Sequence, residues 1–274
     1  MAVINGLASG VAWTGFTGLF ASPGYASPYK FDLNIAGGSV ESTGYGGSAV
    51  IASTHLPTPA SWTGTITCRA PNTVQTGYAG LVSFSGSEYT SNIKDWALTL
   101  AYASKEVTAF NGTGVSWKEF VALAASWSGT FSGFVDGTTP VTPPTLPGAT
   151  LSTITCKLID QGASADDTLS GAAMVTQTGP SAGLDGSNEA SLSFQGSGVL
   201  TAAGVNYGTN SSGVFDDTAG TIVTPSAGSL VLTAASGRTY TGDAFPTSLA
   251  WRCGVATALE LVIGVQGTGA LTIA

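Results

Sequence analysis

Charged side chains are scarce in this sequence. They make up 9% of its 274 residues, against about 25% in an average soluble domain. Ser, Thr, Asn, Gln and backbone groups must therefore solvate most of the surface, and such a surface suits packing against copies of itself. Cations are scarcer still: eight Lys and Arg face sixteen Asp and Glu, a net charge of -8 with a pI near 4.3. Each phosphate contact needs a cation to release a counterion, so a tight grip on nucleic acid is not expected.

Histidine occurs once, as His55 in Thr54-His55-Leu56-Pro57. One histidine removes most Ser-His, Cys-His and two-histidine metal arrangements together, and it reads as a loop residue. The three cysteines, Cys68, Cys156 and Cys253, are odd in number, far apart and never spaced as CxxC. They read as buried free thiols formed in a reducing cytoplasm. A long apolar run is missing too. The first charged residue is Lys30, but Asn5, Gly6, Ser9, Gly10, Thr14, Gly15 and Gly18 break up the preceding stretch. That defeats both the basic start and apolar stretch of a signal peptide and the roughly 20 apolar residues of a membrane helix. Residues 1–30 are expected to form a neutral, extended arm.

What the chain has in abundance is apolar residues at 43% and glycine at 38 positions, enough to bury a sizeable core and contrary to disorder. It also repeats itself. Moving residues 31–68 by 65 positions onto 96–133 gives about twelve identities in 38 positions. Phe31-Asp32-Leu33-Asn34-Ile35 falls on Trp96-Ala97-Leu98-Thr99-Leu100, and Ser61-Trp62-Thr63-Gly64-Thr65 on Ser126-Trp127-Ser128-Gly129-Thr130. Moving 168–203 by 71 onto 239–274 gives about twelve more in 36. There Gln195-Gly196-Ser197-Gly198-Val199-Leu200-Thr201 meets Gln266-Gly267-Thr268-Gly269-Ala270-Leu271-Thr272. These blocks alternate apolar and polar residues as half-buried strands do.

The two kinds of repeat run in the order N-N-C-C, whereas a simple tandem duplication reads N-C-N-C. One copy is therefore expected to be inserted into the other at an exposed turn. An inner domain would span 91–204, with 31–90 and 205–274 closing around it as a discontinuous outer domain. One flanking α-helix is predicted near 116–125: Ser116-Trp117-Lys118-Glu119 reads as a capping box, Val115 and Phe120 as a staple. Trp117, Phe120, Val121 and Ala124 then make one apolar stripe. Val141 to Pro147 reads as an extended linker.

The span Trp96 to Thr201, with Lys105-Glu106-Val107-Thr108-Ala109-Phe110-Asn111-Gly112, Trp117-Lys118-Glu119-Phe120, Ser126 to Phe134 and Ser193-Phe194-Gln195-Gly196-Ser197-Gly198, resembles the tail tube (major tail) proteins of tailed bacteriophages. The resemblance implies a mainly β fold, a β-sandwich or barrel with one flanking helix, present here as two domains in one chain. It also implies self-assembly into stacked rings that conduct DNA on ejection, in the virion tail, after assembly in the host bacterial cytoplasm. Six domains per ring become three chains per ring when each chain supplies two. The implied partners are copies of itself and other phage tail proteins; duplex DNA passes without tight binding, and no membrane, cofactor, metal or catalysis is implied. Residues expected in core and assembly are Trp62, Trp127, Trp96, Phe31, Trp117, Phe120, Phe194, Leu200 and Leu271.

The remaining motifs read blandly. Asp166-Asp167 and Asp216-Asp217 lack calcium-loop spacing; Asp136-Gly137 and Asp185-Gly186 are turn dipeptides; Gly196-Ser197-Gly198 has no histidine base. The connectors 71–95 and 202–238 suit hairpins that reach a neighbour. An alternative function is a phage decoration, fibre or baseplate β-domain that binds a host glycan through exposed Trp and Tyr. An enzyme is disfavoured because no acid–base pair, metal set or phosphate loop converges.

Overall fold

The computed structural model describes residues 2–14, 27–41, 55–69, 82–84, 87–88, 93–109, 117–134, 147–159, 167–182, 188–203, 224–254 and 257–274. The protein is mainly β, with fourteen strands and no helix among the described residues: β1 (Ala2–Trp13), β2 (Ser27–Glu41), β3 (His55–Arg69), β4 (Val82–Phe84), β5 (Ser87–Glu88), β6 (Ile93–Glu106), β7 (Phe120–Phe134), β8 (Thr150–Ile159), β9 (Asp167–Ala182), β10 (Asn188–Gly196), β11 (Thr201–Ala203), β12 (Gly228–Ala234), β13 (Thr239–Gly254) and β14 (Thr257–Ile273). All named strand pairs are antiparallel, in the order β12-β1-β2-β3-β14-β13-β6-β7-β10-β9-β8-β4-β5 with β11 on β9. The β5 end is open. At the other end β12 also pairs with β13, so β12, β1, β2, β3, β14 and β13 form a closed cycle of pairings.

Period-two burial explains why these segments are strands. Phe31 and Leu33 in β2, Trp62, Ile66 and Cys68 in β3, and Trp96, Leu98, Leu100 and Tyr102 in β6 are buried, while Asp32, Thr63, Thr65, Ala97 and Thr99 between them are half-buried. Successive side chains of a strand point to opposite faces, so one face becomes core. β-branched Thr on the other face favours the extended backbone.

The order β2-β3-β14-β13-β12 is repeated strand for strand as β6-β7-β10-β9-β8. We call these the outer and inner sets. The bulges recur as well. Thr247 is the extra residue of β13 opposite β14, and Thr176, its partner at the 71-residue offset, is the extra residue of β9 opposite β10. The shift between Pro28 and Lys30 in β2 recurs between Ile93 and Asp95 in β6.

Two sequence expectations are corrected. The helix near 116–125 is absent: Phe120–Phe134 is strand β7, and Trp117 makes a parallel bridge to Ala60; Ser116 lies outside the described residues. The stripe from Trp117 to Ala124 matched a helix by count alone. Val121 and Leu123 are exposed, and Val121 pairs with Lys105 and Phe120 with Glu106 in the β6 ladder. The 65-residue offset places β7 on β3, whose Pro57 and Pro59 cannot sit in a helix interior. His55 is the first residue of β3, paired with Glu41, and so belongs to a strand. The two connectors contribute to this chain's own sheet, β4 and β5 joining β8, and β12 joining β1 and β13.

Candidate assembly interface

Each strand set is organised around one tryptophan. Trp62, on β3, is 2% exposed and donates its indole N–H to the Gly269 carbonyl at 3.2 Å. Trp127, on β7, is 3% exposed and donates to the Gly198 carbonyl at 2.8 Å. The indole of Trp62 lies so close over Gly267 and Gly242 that a Cβ on either would overlap it; Trp127 lies the same way over Gly196 and Gly171. A glutamine closes each corner, Gln266 Nε2 donating to the Trp62 carbonyl at 3.2 Å and Gln195 Nε2 to the Trp127 carbonyl at 2.7 Å. A tryptophan has both area to bury and an N–H to satisfy. Glycine next to it provides the space, and a strand end provides the acceptor.

The two sets are joined at one seam. β13 uses Tyr240–Ala244 and Thr239 for β12, and then Ser248–Gly254 for Ala101–Asp95 of β6. Across the same seam Lys118 N donates to Ala60 O at 2.7 Å, Gly269 N to Lys118 O at 2.9 Å, and Phe120 N to Thr268 Oγ1 at 3.0 Å. The stretch before β7 thus closes over the Trp62 corner. Gly269 has a positive φ of 78°, which frees its N–H for Lys118 and its carbonyl for Trp62 at once.

Burial differs between counterparts in a consistent direction. Phe245 is 1% exposed and Gln266 8%, both at the seam side of the outer set. Their counterparts Met174 and Gln195 are exposed, Met174 to 41%. Thr268 and Gly269 are half-buried, whereas Ser197 and Gly198 are exposed. Beside Gln195, the face of β6, β7, β10 and β9 carries an open depression of about 280 Å³ lined by Thr99, Ser128, Thr130, Thr176 and Ser193 among others. Five of its nine lining residues carry hydroxyl groups.

Charges sit at the periphery. Lys30 and Asp32 pair at 2.8 Å, Lys94 and Glu189 at 3.1 Å, and Lys118 and Glu106 at 2.8 Å. The hydrogen bond from Lys118 holds the Glu106 carboxyl below its ordinary value, with the Thr108 hydroxyl helping. Burial alone pushes the Cys68 and Cys156 thiols up to about 12 and raises Cys253 to about 11. All three are free and buried. No group of three or more His, Cys, Asp and Glu suited to a metal is found among the described residues, and no helix there is long and apolar enough to cross a membrane.

Among the residues singled out from sequence, Phe31, Trp62, Trp96, Trp127, Phe194 and Leu200 are buried, with Trp117 and Leu271 half-buried against the same core. Phe120 is half-buried on β7. The structure brings Trp127 and Phe194 edge to face at 6.1 Å, whereas Phe31 meets Tyr240 at 6.0 Å. Sequence reasoning gave no role to Gln195, Gln266 or the four glycines under the indoles. Their signals were the Gln-Gly-x-Gly match between the later repeats, for Gln195, Gln266, Gly196 and Gly267, and the alignment of Gly171 with Gly242 at the same 71-residue offset. Asp136, Asp166, Asp185, Asp216 and Asp217 lie outside the described residues. No protein-family model matches the chain, and no curated protein matches it.

Proposed function

We propose that the chain is a structural virion protein, a phage tail tube subunit that assembles into stacked rings of three chains and conducts DNA on ejection. The reading divides it into two tube-like domains. The outer one is discontinuous, from 31–90 and 205–274, and the inner one is 91–204; β4, within the outer bounds, pairs with β8 of the inner set and with β5. The observation that carries the reading is the β13–β6 seam. One chain already adds a strand of one set to the sheet of a like set, and repeating that operation between chains builds a ring or filament.

The composition supports a conduit. An acidic, cation-poor wall repels the phosphate backbone and lets duplex slide past. A glycan-binding module has less support. Five tryptophans, Trp13, Trp62, Trp96, Trp127 and Trp251, are buried and Trp117 is half-buried, so none offers a free indole face for a sugar.

Negative-stain imaging and native mass measurement of the purified chain test the proposal. Rings or tubes about 100 Å wide, the size expected from six domains each roughly 30 Å across, with three chains per ring, are the expected result. Discrete monomers at all concentrations, or trimeric fibres, would overturn it.

A further inference from the structure

The corner built on Trp62 is covered by the chain itself, and the equivalent corner built on Trp127 is not. Three bonds make the cover: Lys118 N donates to Ala60 O, Gly269 N to Lys118 O, and Phe120 N to Thr268 Oγ1, beside the parallel bridge of Trp117 to Ala60. The covering stretch contributes only main-chain atoms, the N and O of Lys118 and the N of Phe120. The receiving side is an alanine carbonyl, a glycine N–H and a threonine hydroxyl. At the two repeat offsets these become Ala125, Gly198 and Ser197, so each receiving group has an equivalent in the inner set.

Those equivalents are uncovered. Ser197 and Gly198 are exposed where Thr268 and Gly269 are half-buried, and Leu123 and Ala124 of β7 are exposed where Thr58 and Pro59 of β3 are half-buried. Among the described residues, Gly198 N makes no main-chain bond like that from Gly269 N to Lys118 O. Val199 and Leu123, close to these groups in sequence, are large apolar residues left exposed.

We infer that the Trp127 corner is a docking site for a second copy of this chain, which enters it with the stretch leading into its β3. That stretch is the counterpart, 65 positions earlier, of the one that covers Trp62: Ser53 stands for Lys118 and His55 for Phe120. Residues 52–54 lie outside the described residues, but the hairpins match up to that point. Phe120, the first residue of β7, pairs with Glu106, and His55, the first residue of β3, pairs with Glu41. His55 N thus stands in its hairpin where Phe120 N stands in the other. Because the cover is made by main chain, the different side chains of 52–55 do not prevent it. The contact runs head to tail, from the outer set of one copy to the inner set of the next, and a heterologous contact of this kind closes a ring or continues as a filament. Along β2 the place that β13 holds on β6 is taken by residues 2–7, so the strand pairing of the seam is no part of this contact.

Glycine suits the corner to both states. Gly269 has a φ of 78° while it donates to Lys118, whereas Gly198 lies outside the positive-φ region in the free subunit. A residue without a Cβ reaches positive φ without steric cost, so the inner corner can take the covered conformation when a partner arrives.

The inference rests on the ring reading but fails separately from it. In the full chain, Ala52→Cys with Ala125→Cys, the counterparts of the bridged Trp117 and Ala60, is expected to give disulfide-linked dimers and trimers on oxidation of assembled protein. The three native thiols are buried and stay out of the reaction. Ala52→Cys with Ala190→Cys, towards the far end of β10, is expected to give none. Ser197→Ala removes the receiving hydroxyl from an exposed position, and Gly198→Ala adds a methyl with nothing within 4 Å of it. Both should keep the circular dichroism and melting of the wild-type subunit yet raise the concentration needed for assembly several-fold, whereas Ser197→Thr, the residue type of position 268, should assemble as wild type. Rings that form at the wild-type concentration in Ser197→Ala and Gly198→Ala, and rings that lack the 52–125 crosslink, would overturn the inference and leave the tube reading standing. Folded monomer at every concentration would reject the tube reading and this contact with it.

Discussion

Trp62 and Trp127 hold the same hydrogen bond in two places. Each donates its indole N–H to the carbonyl of a glycine, Gly269 or Gly198, that follows its own Gln-Gly pair by three positions from the glutamine. Neither tryptophan bonds to the glycine of the other set. The contact spans 207 positions in the outer set and 71 in the inner one, so the same corner is built from very different lengths of chain.

Truncation at either corner will be strongly destabilising. Trp62→Ala and Trp127→Ala are expected to lose about 3–5 kcal/mol each. Gly196→Ala and Gly267→Ala put a methyl into the indole and should lose about 1–3 kcal/mol. In a double-mutant cycle, Trp127→Ala will suppress the effect of Gly196→Ala, since the clash partner is gone, but will leave that of Gly267→Ala unchanged. Equilibrium denaturation of the four single and two double variants reads this directly. Additivity within the Trp127 and Gly196 pair would contradict the packing.

Far-UV circular dichroism is expected to give a β spectrum with no helical minimum. Lys118→Pro will remove the bond from Lys118 N to Ala60 O across the seam and destabilise the fold. In the helix expected from residue 116, by contrast, position 118 lies in the first turn, where proline is tolerated, so the substitution distinguishes the two conformations.

The three thiols will be silent at neutral pH in the folded protein. Their folded values near 11 to 12 lie above the roughly 8.5 of an exposed cysteine, so the unfolded chain releases thiol protons first as pH rises. Stability is therefore full below about pH 8.5 and falls between there and pH 11, by about 1.4 kcal/mol per pH unit for each thiol within its window. Thiol labelling at pH 8 should find no reactive cysteine until denaturant is added. Urea melts from pH 7 to 11 check the slope.

Glu106 gives the opposite sign at the acid end. Lys118 holds its carboxyl below the ordinary value, so the stabilisation is present above the unfolded value of roughly 4.3 and is lost as pH falls through the folded one. Lys118→Met should move the Glu106 titration back up, seen by carboxyl chemical shifts. Added salt should weaken the pair, because both groups face solvent.

The strand alternation, the two repeat offsets and the tryptophan positions were legible in the sequence because a sheet with one buried face writes its period directly into residues such as Trp96, Leu98 and Leu100. The helix expected near 116–125 fails for a physical reason. Trp117 to Ala124 satisfies a helical count and contains good helix formers, but its backbone is committed by long-range partners, Ala60, Thr268 and Glu106, and tertiary pairing overrides local preference. The glycines under the indoles were seen as a repeat and not as a site. Their meaning depends on a ring contributed by a strand distant in sequence.

The pairing of β3 with β14 also sets an order of events during synthesis. About 190 residues separate the end of β3 from the start of β14, so at roughly 5–20 residues per second a ribosome takes about 10–40 s to deliver the second after the first. The inner strands are complete well before then, while β2 and β3 wait with a sheet edge open in a crowded cell. β1 is made before β2 and can lie against it in that interval. Residues 2–7 thus shield the nascent edge of β2 from other nascent chains, and a variant lacking them would be expected to suffer in the yield of folded protein before any defect in the finished subunit became visible.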